Sequence, residues 1–171
     1  MDLKNSIRNI PDFPIPGVLF RDVTTLFKDP VAYKELIDRI AASLGGRQVD
    51  LVVGPEARGF VIGAALAYAL NAGFVLIRKP GKLPCETLQY EYQLEYGTDI
   101  LQVHKDAIKP GQKVVVVDDL LATGGTAAAA VKLVEQAGGE VVAIRFAIEL
   151  TDEFDGRANL KGYDVDSVVK Y

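Results

Sequence analysis

The stretch that decides the fold is Val114–Thr126, which reads Val-Val-Val-Val-Asp-Asp-Leu-Leu-Ala-Thr-Gly-Gly-Thr. Four consecutive valines without polar alternation predict a strand that is buried on both faces, as in a parallel sheet. Asp118 and Asp119 follow where that strand should end, and residues 127–136 are rich in helix formers. The stretch therefore predicts a strand, a Gly/Thr loop and a helix N-terminus in direct succession.

The loop in this stretch has the composition of a phosphate site, with the two aspartates placed for hydroxyls or a metal beside it. The first N–H groups of a helix have no partner within the helix, and the macrodipole adds partial positive charge there. Gly124 and Gly125 let the backbone approach an anion closely, and the Thr123 and Thr126 hydroxyls add donors. A tight turn is the alternative for Thr-Gly-Gly-Thr alone. No Gly-Lys-Thr or Gly-Lys-Ser closes the loop, so it differs from a Walker loop.

Length, composition and charge restrict the class of protein. The 171 residues, 49% of them hydrophobic, predict one domain over residues 1–171 with a substantial core. A net charge of −4 argues against general binding to nucleic acid. The N-terminus lacks the apolar core of a signal peptide, and the longest apolar run, Phe60–Leu70, is shorter than the ~20 residues that span a bilayer. The single cysteine, Cys85, excludes an internal disulfide, and we expect a cytoplasmic protein with no membrane partner.

Two further loops carry cations at the ends of predicted strands. Residues 49–53 predict a strand, and Arg58 follows near the start of the next predicted helix, where the macrodipole does not favour a cation. After another predicted strand, residues 74–77, Arg78 and Lys82 stand in a Pro/Gly loop of an acidic protein. Both loops indicate that an anion binds nearby, with solvated surface cations as the alternative.

The N-terminal residues predict a short helix followed by a stiff strap. Residues 2–10 suit the helix, and residues 11–22 contain three prolines and a glycine. The strap ends in Leu19-Phe20-Arg21, and a phenyl ring on a rigid backbone can stack on a flat base while backbone groups read the edge of that base. The alternative is a rigid loop that covers one edge of the core.

Residues 88–96 alternate between apolar and polar side chains, which predicts a strand, with residues 98–103 as its hairpin partner. Leucines and tyrosines occupy one face of this strand, and Glu91 and Glu95 occupy the other. A hairpin joined to the fold through a Gly/Pro loop can act as a lid. We expect the lone histidine, His104, to be a surface residue at the end of the hairpin.

The order of these elements predicts an α/β fold. It has a mainly parallel, open central sheet flanked by helices, a small N-terminal hood over residues 1–28 and a mobile hairpin lid. Ligands of such sheets bind outside the carboxyl ends of the strands. The charged residues and the loop all fall at those ends: Arg58, Arg78, Lys82, Asp118, Asp119 and residues 122–126.

Together these strings resemble the adenine phosphoribosyltransferase family of the type I phosphoribosyltransferases. The resemblance covers almost the whole chain and rests on residues 13–22, 56–60, 77–84, 94–97 and 114–126. It implies the type I phosphoribosyltransferase fold, a homodimer, and transfer of ribose 5-phosphate from phosphoribosyl pyrophosphate to adenine, which gives AMP and pyrophosphate. It also implies Mg²⁺ as cofactor, held mainly by the substrate and not by protein ligands.

The resemblance assigns a role to each matched position. The phosphate loop consists of Ala122, Thr123, Gly124, Gly125 and Thr126, and catalysis is assigned to Glu95, Asp118 and Asp119, with Glu95 as acid/base and the aspartates on the ribose hydroxyls. Pyrophosphate would be bound by Arg58 and, across the dimer interface, by Arg78 and Lys82. Adenine would be read by backbone groups of Leu19 and Arg21, stacked on by Phe20 and covered on its other side by Leu150.

The implied chemistry agrees with the residue types. Departure of pyrophosphate gives an oxocarbenium-like transition state, much as in glycoside cleavage. The aspartate pair stabilises the positive charge on the ribose, and magnesium with the cations stabilises the leaving pyrophosphate. Glu95 on a closing lid takes the proton that the purine loses, and the lid keeps out water that would hydrolyse the intermediate.

Other classes of protein stay open at this point. A regulator can bind the sugar phosphate without catalysis, although a DNA-binding one should carry an extra helix-turn-helix segment, for which we expect no room. A related enzyme for hypoxanthine, xanthine or orotate is a further alternative, and the strap and residues 94–97 favour adenine. Receiver domains also carry an acidic pair, but theirs follows the first strand, whereas this pair lies in the second half of the chain.

Overall fold

The computed structural model describes residues 1–94 and 96–171. Over these residues the strands are β1 (Arg8–Pro11), β2 (Leu19–Asp22), β3 (Leu51–Pro55), β4 (Gly73–Ile77), β5 (Thr87–Gln93), β6 (Thr98–His104), β7 (Lys113–Leu121), β8 (Glu140–Glu149) and β9 (Val165–Lys170). The helices are α1 (Thr24–Phe27), α2 (Pro30–Ser43), α3 (Arg58–Ala69) and α4 (Gly125–Gln136), with 3₁₀ turns at Leu3–Ser6 and Gly156–Leu160.

A five-stranded parallel sheet of order β4-β3-β7-β8-β9 forms the centre of the described chain. From β3 the chain crosses through α3 to β4 on one side, and from β7 it crosses through α4 to β8 on the other side. The strand order therefore reverses between β3 and β7. In an open α/β sheet this reversal leaves a crevice outside the carboxyl ends of the two strands, where ligands bind.

The valine run of β7 is buried on both faces of this sheet, as predicted. Val115 and Val117 belong to the core that contains α2 and α3, whereas Val114 and Val116 belong to the core that contains α4. All four side chains are fully buried. The predicted mainly parallel sheet with helices on both faces is thereby confirmed.

The N-terminal prediction was partly wrong, because residues 8–11 form a strand and not the end of a helix. Leu3–Ser6 makes one 3₁₀ turn, and β1 then pairs antiparallel with β2, which sets Ile10 opposite Phe20. So short a helix is marginal without packing, and pairing with the strap satisfies the same backbone groups. Leu3 and Ile7 anchor this ribbon in the core beside α2.

The hairpin β5–β6 packs on α4 and has the predicted face pattern as far as Tyr92. β5 ends at Gln93, earlier than predicted, and Leu94 and Tyr96, predicted on the same face, are 47% and 88% exposed. Leu88, Tyr90 and Tyr92 are half-buried against the core on that side of the sheet, whereas Glu91 is exposed. Reciprocal backbone hydrogen bonds between Arg78 and Gln102 tie the base of the hairpin to the end of β4. Movement of this hairpin as a lid stays a prediction.

In the part of the chain that the structure describes, no helix is long and apolar enough to cross a membrane.

Candidate active site

A cavity of about 370 Å³ opens at the crevice between β3 and β7. It is lined by the β3–α3 turn, the end of β7 and the start of α4: Glu56, Ala57, Arg58, Asp118, Asp119, and Leu120 through Ala127. The predicted phosphate loop, the aspartate pair and Arg58 thus share one cavity. Their convergence follows from the reversal of strand order, since each lies just beyond or at the carboxyl end of a neighbouring strand.

Asp118 and Asp119 lie within β7 and not after it, which corrects the predicted strand end. β7 pairs with β3 through Val114–Val116 but continues to pair with β8 as far as Leu121. One edge of β7 is therefore hydrogen-bonded to β8 beside the aspartates, while its other edge faces the cavity. The carboxylates stand on regular strand backbone, which fixes their positions more firmly than a loop does.

An ion pair joins the aspartates to the start of α3. Arg58 Nε donates to Asp119 Oδ2 at 2.5 Å, so a carboxylate of the same chain supplies one anion for the cation at this helix start. Asp118 Oδ1 accepts from the Asp119 N–H at 2.8 Å, and a Cβ on Gly59 would lie only 2.9 Å from that oxygen. Burial, with the adjacent Asp119 charge, raises the pKa of Asp118 well above its ordinary value. The two carboxyl groups are consequently inequivalent.

The loop after β7 turns sharply to present the N-terminus of α4 to the cavity. Gly124 has φ +83°, a conformation that glycine adopts without steric cost, and α4 begins at Gly125. The first helical hydrogen bond runs from the Ala128 N–H to the Gly124 carbonyl, so the preceding N–H groups lie outside the helical ladder. The N-cap residue Gly124 has no side chain to cap this helix, and Thr123 Oγ1 accepts from the Gly125 N–H over 3.4 Å. Such a helix start can act as an anion cradle, and phosphate binding by residues 122–126 stays a prediction.

Glu56 organises the cations of the β4 loop and had no predicted role. Its carboxylate lies 3.4 Å from Arg78 Nε, forms an ion pair with Lys82 and accepts the Lys79 N–H at 2.8 Å. Burial alone would raise the pKa of Glu56, but these donors and cations lower it. The structure therefore brings Arg78 and Lys82 to the cavity rim within one chain. A carboxylate just after a strand, two residues before Arg58, was the signal available in the sequence.

The strap lies beside the same cavity. The Phe20 ring stands 5.9 Å from the Arg58 guanidinium carbon and edge-on to Phe13, with ring centroids 5.1 Å apart. Leu19 is partly exposed on β2, whereas the Arg21 side chain lies over the Tyr171 ring at 3.9 Å. The side chain of Arg21 is thus occupied elsewhere, and its backbone lies in the β1–β2 ribbon opposite Asn9.

Leu150 reaches the same edge of the sheet from β8. Its N–H donates to the Leu121 carbonyl at 3.0 Å, and its side chain is 9% exposed at the margin of the core. Glu95, the predicted acid/base, lies outside the described residues. Its assignment stays a prediction from the sequence.

Metal ligands are sparse in this site. No group of three or more His, Cys, Asp or Glu side chains with metal-binding geometry occurs among residues 1–94 and 96–171. Mg²⁺ commonly takes one or two protein carboxylates together with substrate phosphates and water. Asp118 and Asp119, next to the phosphate loop, fit that mode of binding.

Comparison with known proteins agrees with this geometry. The family model described as the phosphoribosyl transferase domain matches residues 24–167. The adenine phosphoribosyltransferase of Clostridium kluyveri is 58% identical over 171 residues, covering 100% of this chain and 99% of the relative. These matches include β3, β7 and both loops of the cavity.

Solved structures extend the likeness to three dimensions. The adenine phosphoribosyltransferase of Thermoanaerobacter pseudethanolicus superposes with a TM-score of 0.95 at 57% identity, covering 99% of this chain and 98% of that one. The Saccharomyces cerevisiae enzyme, complexed with D-2,5-dideoxy-2,5-imino-altritol 1,6-bisphosphate and adenine, gives 0.90 at 40% identity, covering 97% and 96%. The chain therefore has the type I phosphoribosyltransferase fold and belongs to the adenine phosphoribosyltransferase family.

Proposed function

We propose that this protein is a purine salvage enzyme that transfers the 5-phosphoribosyl group from phosphoribosyl pyrophosphate to adenine, giving AMP and pyrophosphate. The observation that carries the proposal is one cavity that combines a helix N-terminus behind a Gly/Thr loop, an aspartate pair on a rigid strand and an aromatic strap at its mouth. Family membership supports it, as does the yeast relative, whose structure holds adenine together with a bisphosphate.

The 5-phosphate binds residues 122–126. The residues at the start of α4 line the cavity, so their N–H groups would donate to the phosphate oxygens, and the Thr123 and Thr126 hydroxyls add donors. The phosphate in turn fixes where the ribose lies relative to β7.

The ribose lies over Asp118 and Asp119. Asp119, which pairs with Arg58, stabilises the positive charge that develops on the ribose as the glycosidic bond breaks. Asp118, with its raised pKa, supplies a second group for the ribose hydroxyls. Magnesium, when bound with the substrate, neutralises the pyrophosphate oxygens as a Lewis acid.

The leaving pyrophosphate is bound by Arg58, Arg78 and Lys82. The side chains of Arg58 and Lys82 are 47% and 44% exposed, so both retain surface to offer a ligand besides their carboxylate partners. Glu56 holds Arg78 and Lys82 together at the rim until the anion arrives. Charge-assisted hydrogen bonds to phosphate then compete with the pairs to Glu56.

Adenine occupies the mouth of the cavity. Phe20 stacks on the ring, backbone groups of Leu19 and Arg21 read its edge, and Leu150 covers the opposite side. Residues 1–28 act as the hood of a single domain over residues 1–171. Glu95 takes the proton that adenine loses as the new bond forms.

The single cysteine is consistent with a cytoplasmic location.

Product analysis tests the proposed reaction. The protein is incubated with phosphoribosyl pyrophosphate, Mg²⁺ and adenine, hypoxanthine, xanthine or orotate in separate reactions. We expect AMP and pyrophosphate with adenine, and far less nucleotide with the other bases. Nucleotide formation from another base in preference to adenine, or binding of phosphoribosyl pyrophosphate with no product from any base, would contradict the proposal.

Replacing Asp119 with asparagine should lower turnover on the order of 10²-fold, because the variant keeps the shape of the side chain but loses the charge that stabilises the ribose cation. We expect the fold to persist, since the amide oxygen can still accept from Arg58. Steady-state kinetics and thermal unfolding measure the two effects. Wild-type turnover with unchanged substrate affinity would rule the role out.

We also propose a homodimer, supported by an apolar surface on α3 and the edge strand β4. Val61, Tyr68 and Leu76 are 40%, 91% and 43% exposed on this side of the molecule. In the dimer, Arg78 and Lys82 would serve the partner's cavity as well as border their own. Arg78 and Lys82 extend from the loop after β4, so an interface at this edge is near them.

Sedimentation at assay concentration should therefore show a dimer. Replacing Tyr68 with glutamate places a charge in the proposed interface, and we expect a monomer with strongly reduced turnover. Replacing the exposed Lys132 on α4 with glutamate is the control and should leave the dimer intact. An active wild-type monomer at assay concentration would contradict the dimer.

A further inference from the structure

The 3₁₀ turn Gly156–Leu160, here called the brace segment, presses directly on the phosphate loop although it lies 30 residues further along the chain. A Cβ added to Gly124 would overlap the carbonyl oxygen of Gly156, and a Cβ added to Gly156 would overlap the carbonyl oxygen of Ala122. Backbone therefore meets backbone here with no space for a side chain on either glycine. No local pattern in the sequence predicts this contact.

A side chain of the brace segment also holds the loop. Asn159 Nδ2 donates to the Thr123 carbonyl at 2.7 Å. The Thr123 carbonyl and the Gly124 N–H belong to the same peptide group, and the two point in opposite directions. When the carbonyl is bonded to the brace segment, the N–H is directed away from that segment, toward the cavity. The hydrogen bond thus favours the orientation that an anion needs.

An ion pair with a buried carboxylate anchors the brace segment to the sheet. Arg157 donates to both oxygens of Glu149 at 2.7 and 2.8 Å, and its Nη1 donates to the Val165 carbonyl at 3.0 Å. Glu149 is 5% exposed, is held also by Ser167, and stands opposite Leu121 in the sheet register. Bidentate pairs of this kind fix orientation as well as position.

We infer that Arg157 and Asn159 are positioning residues that preorganise the phosphate loop: the Arg157–Glu149 pair fixes the brace segment, and the Gly156 carbonyl and Asn159 amide hold residues 122–124 in the anion-binding conformation. This inference rests on the proposed function, in which that loop binds the 5-phosphate. Neither residue contacts the reacting atoms. Preorganisation lowers the conformational cost of binding, so its loss weakens affinity for the phosphate.

Ribose 5-phosphate is the probe, because it carries the 5-phosphate without the pyrophosphate or the base. Calorimetric titration should show that Asn159→Ala weakens its binding about 3- to 10-fold, as expected for one lost hydrogen bond. Arg157→Gln should weaken binding of ribose 5-phosphate by about 10-fold or more. Arg157→Lys keeps the charge but not the bidentate geometry, so its affinity should lie between those of the wild type and Arg157→Gln. Lys161→Gln, an exposed change at the end of the brace segment, is the matched control and should bind as wild type.

Two further readouts separate positioning from a general loss of stability. Amide hydrogen exchange should accelerate in peptides that contain residues 122–126 in both Asn159→Ala and Arg157→Gln, while β3 stays protected. The KM for phosphoribosyl pyrophosphate should rise with little change in the KM for adenine. Unchanged ribose 5-phosphate affinity and loop exchange in Asn159→Ala would overturn the inference.

The outcomes distinguish this inference from the proposed reaction. If the wild-type protein binds ribose 5-phosphate but forms no AMP, the proposed reaction fails and the positioning role is still measured by binding. If the wild type forms AMP and the Asn159 and Arg157 variants bind ribose 5-phosphate as wild type does, the positioning role alone is wrong.

Discussion

Replacing Gly124 with alanine should lower kcat/KM for phosphoribosyl pyrophosphate by on the order of 10²-fold or more, because the N–H donors of the phosphate loop are displaced. At φ +83° an alanine is strained by about 1–3 kcal/mol, and its Cβ would also overlap the Gly156 carbonyl oxygen. We expect the loop to move away from the brace segment, which relieves the strain and the overlap but displaces the N–H donors of the anion cradle. Steady-state kinetics with titration of ribose 5-phosphate measure the effect.

Gly162→Ala is the matched control for this prediction. Gly162 has φ +90°, but a Cβ there would meet nothing within 4 Å in the described part of the chain. The control therefore carries the same kind of backbone strain without the overlap, and we expect a modest loss of stability with unchanged kinetics. If Gly124→Ala bound ribose 5-phosphate as tightly as Gly162→Ala does, the assignment of the 5-phosphate to this loop would be wrong.

Glu95→Gln should lower turnover with adenine by about 10²- to 10⁴-fold, the usual contribution of a general acid/base. Glutamine keeps the size and hydrogen-bonding capacity of the side chain but cannot take the purine proton. We expect thermal stability and affinity for phosphoribosyl pyrophosphate to be unchanged, because the alternating pattern of residues 88–96 gives packing no need for a carboxylate at position 95. Pre-steady-state measurements of AMP formation separate the chemical step from product release.

Glu91→Gln is the control for Glu95→Gln, since Glu91 is exposed on the polar face of β5 and should tolerate the change. The acid/base role predicts a loss of turnover of about 10²- to 10⁴-fold. If Glu95→Gln lost less than about threefold in turnover, that role would be wrong. Equal turnover of Glu95→Leu and Glu95→Gln, with weaker adenine binding in the leucine variant, would make Glu95 a purine contact.

Much of the fold followed from local patterns in the sequence. The valine run predicted a strand buried on both faces, and alternate valines of β7 do enter the two cores. The period-two pattern of residues 88–96 predicted the β5 face that packs on α4, although the strand itself ends at Gln93. Such predictions succeed because burial pattern and turn chemistry are encoded by neighbours in the chain.

Local patterns also failed where a distant partner decided the conformation. Residues 8–11 pair with the strap as β1 and do not continue a helix, because the partner strand offers the backbone hydrogen bonds along one edge. Asp118 and Asp119 lie inside β7 because β8 extends the pairing to Leu121. Strand length depends on the neighbouring strand, which the local sequence does not describe.

For the site, the sequence by itself determined the chemistry of each part: the glycine loop before α4, the aspartate pair and the cations after β3 and β4. Tertiary structure alone decided how the parts are held, through Glu56 between Arg78 and Lys82 and through the brace segment behind Gly124. Residue type and local spacing fix which groups a loop can offer. The contacts that orient those groups join residues far apart in the chain, and they exist only after the sheet has set its strand order and register.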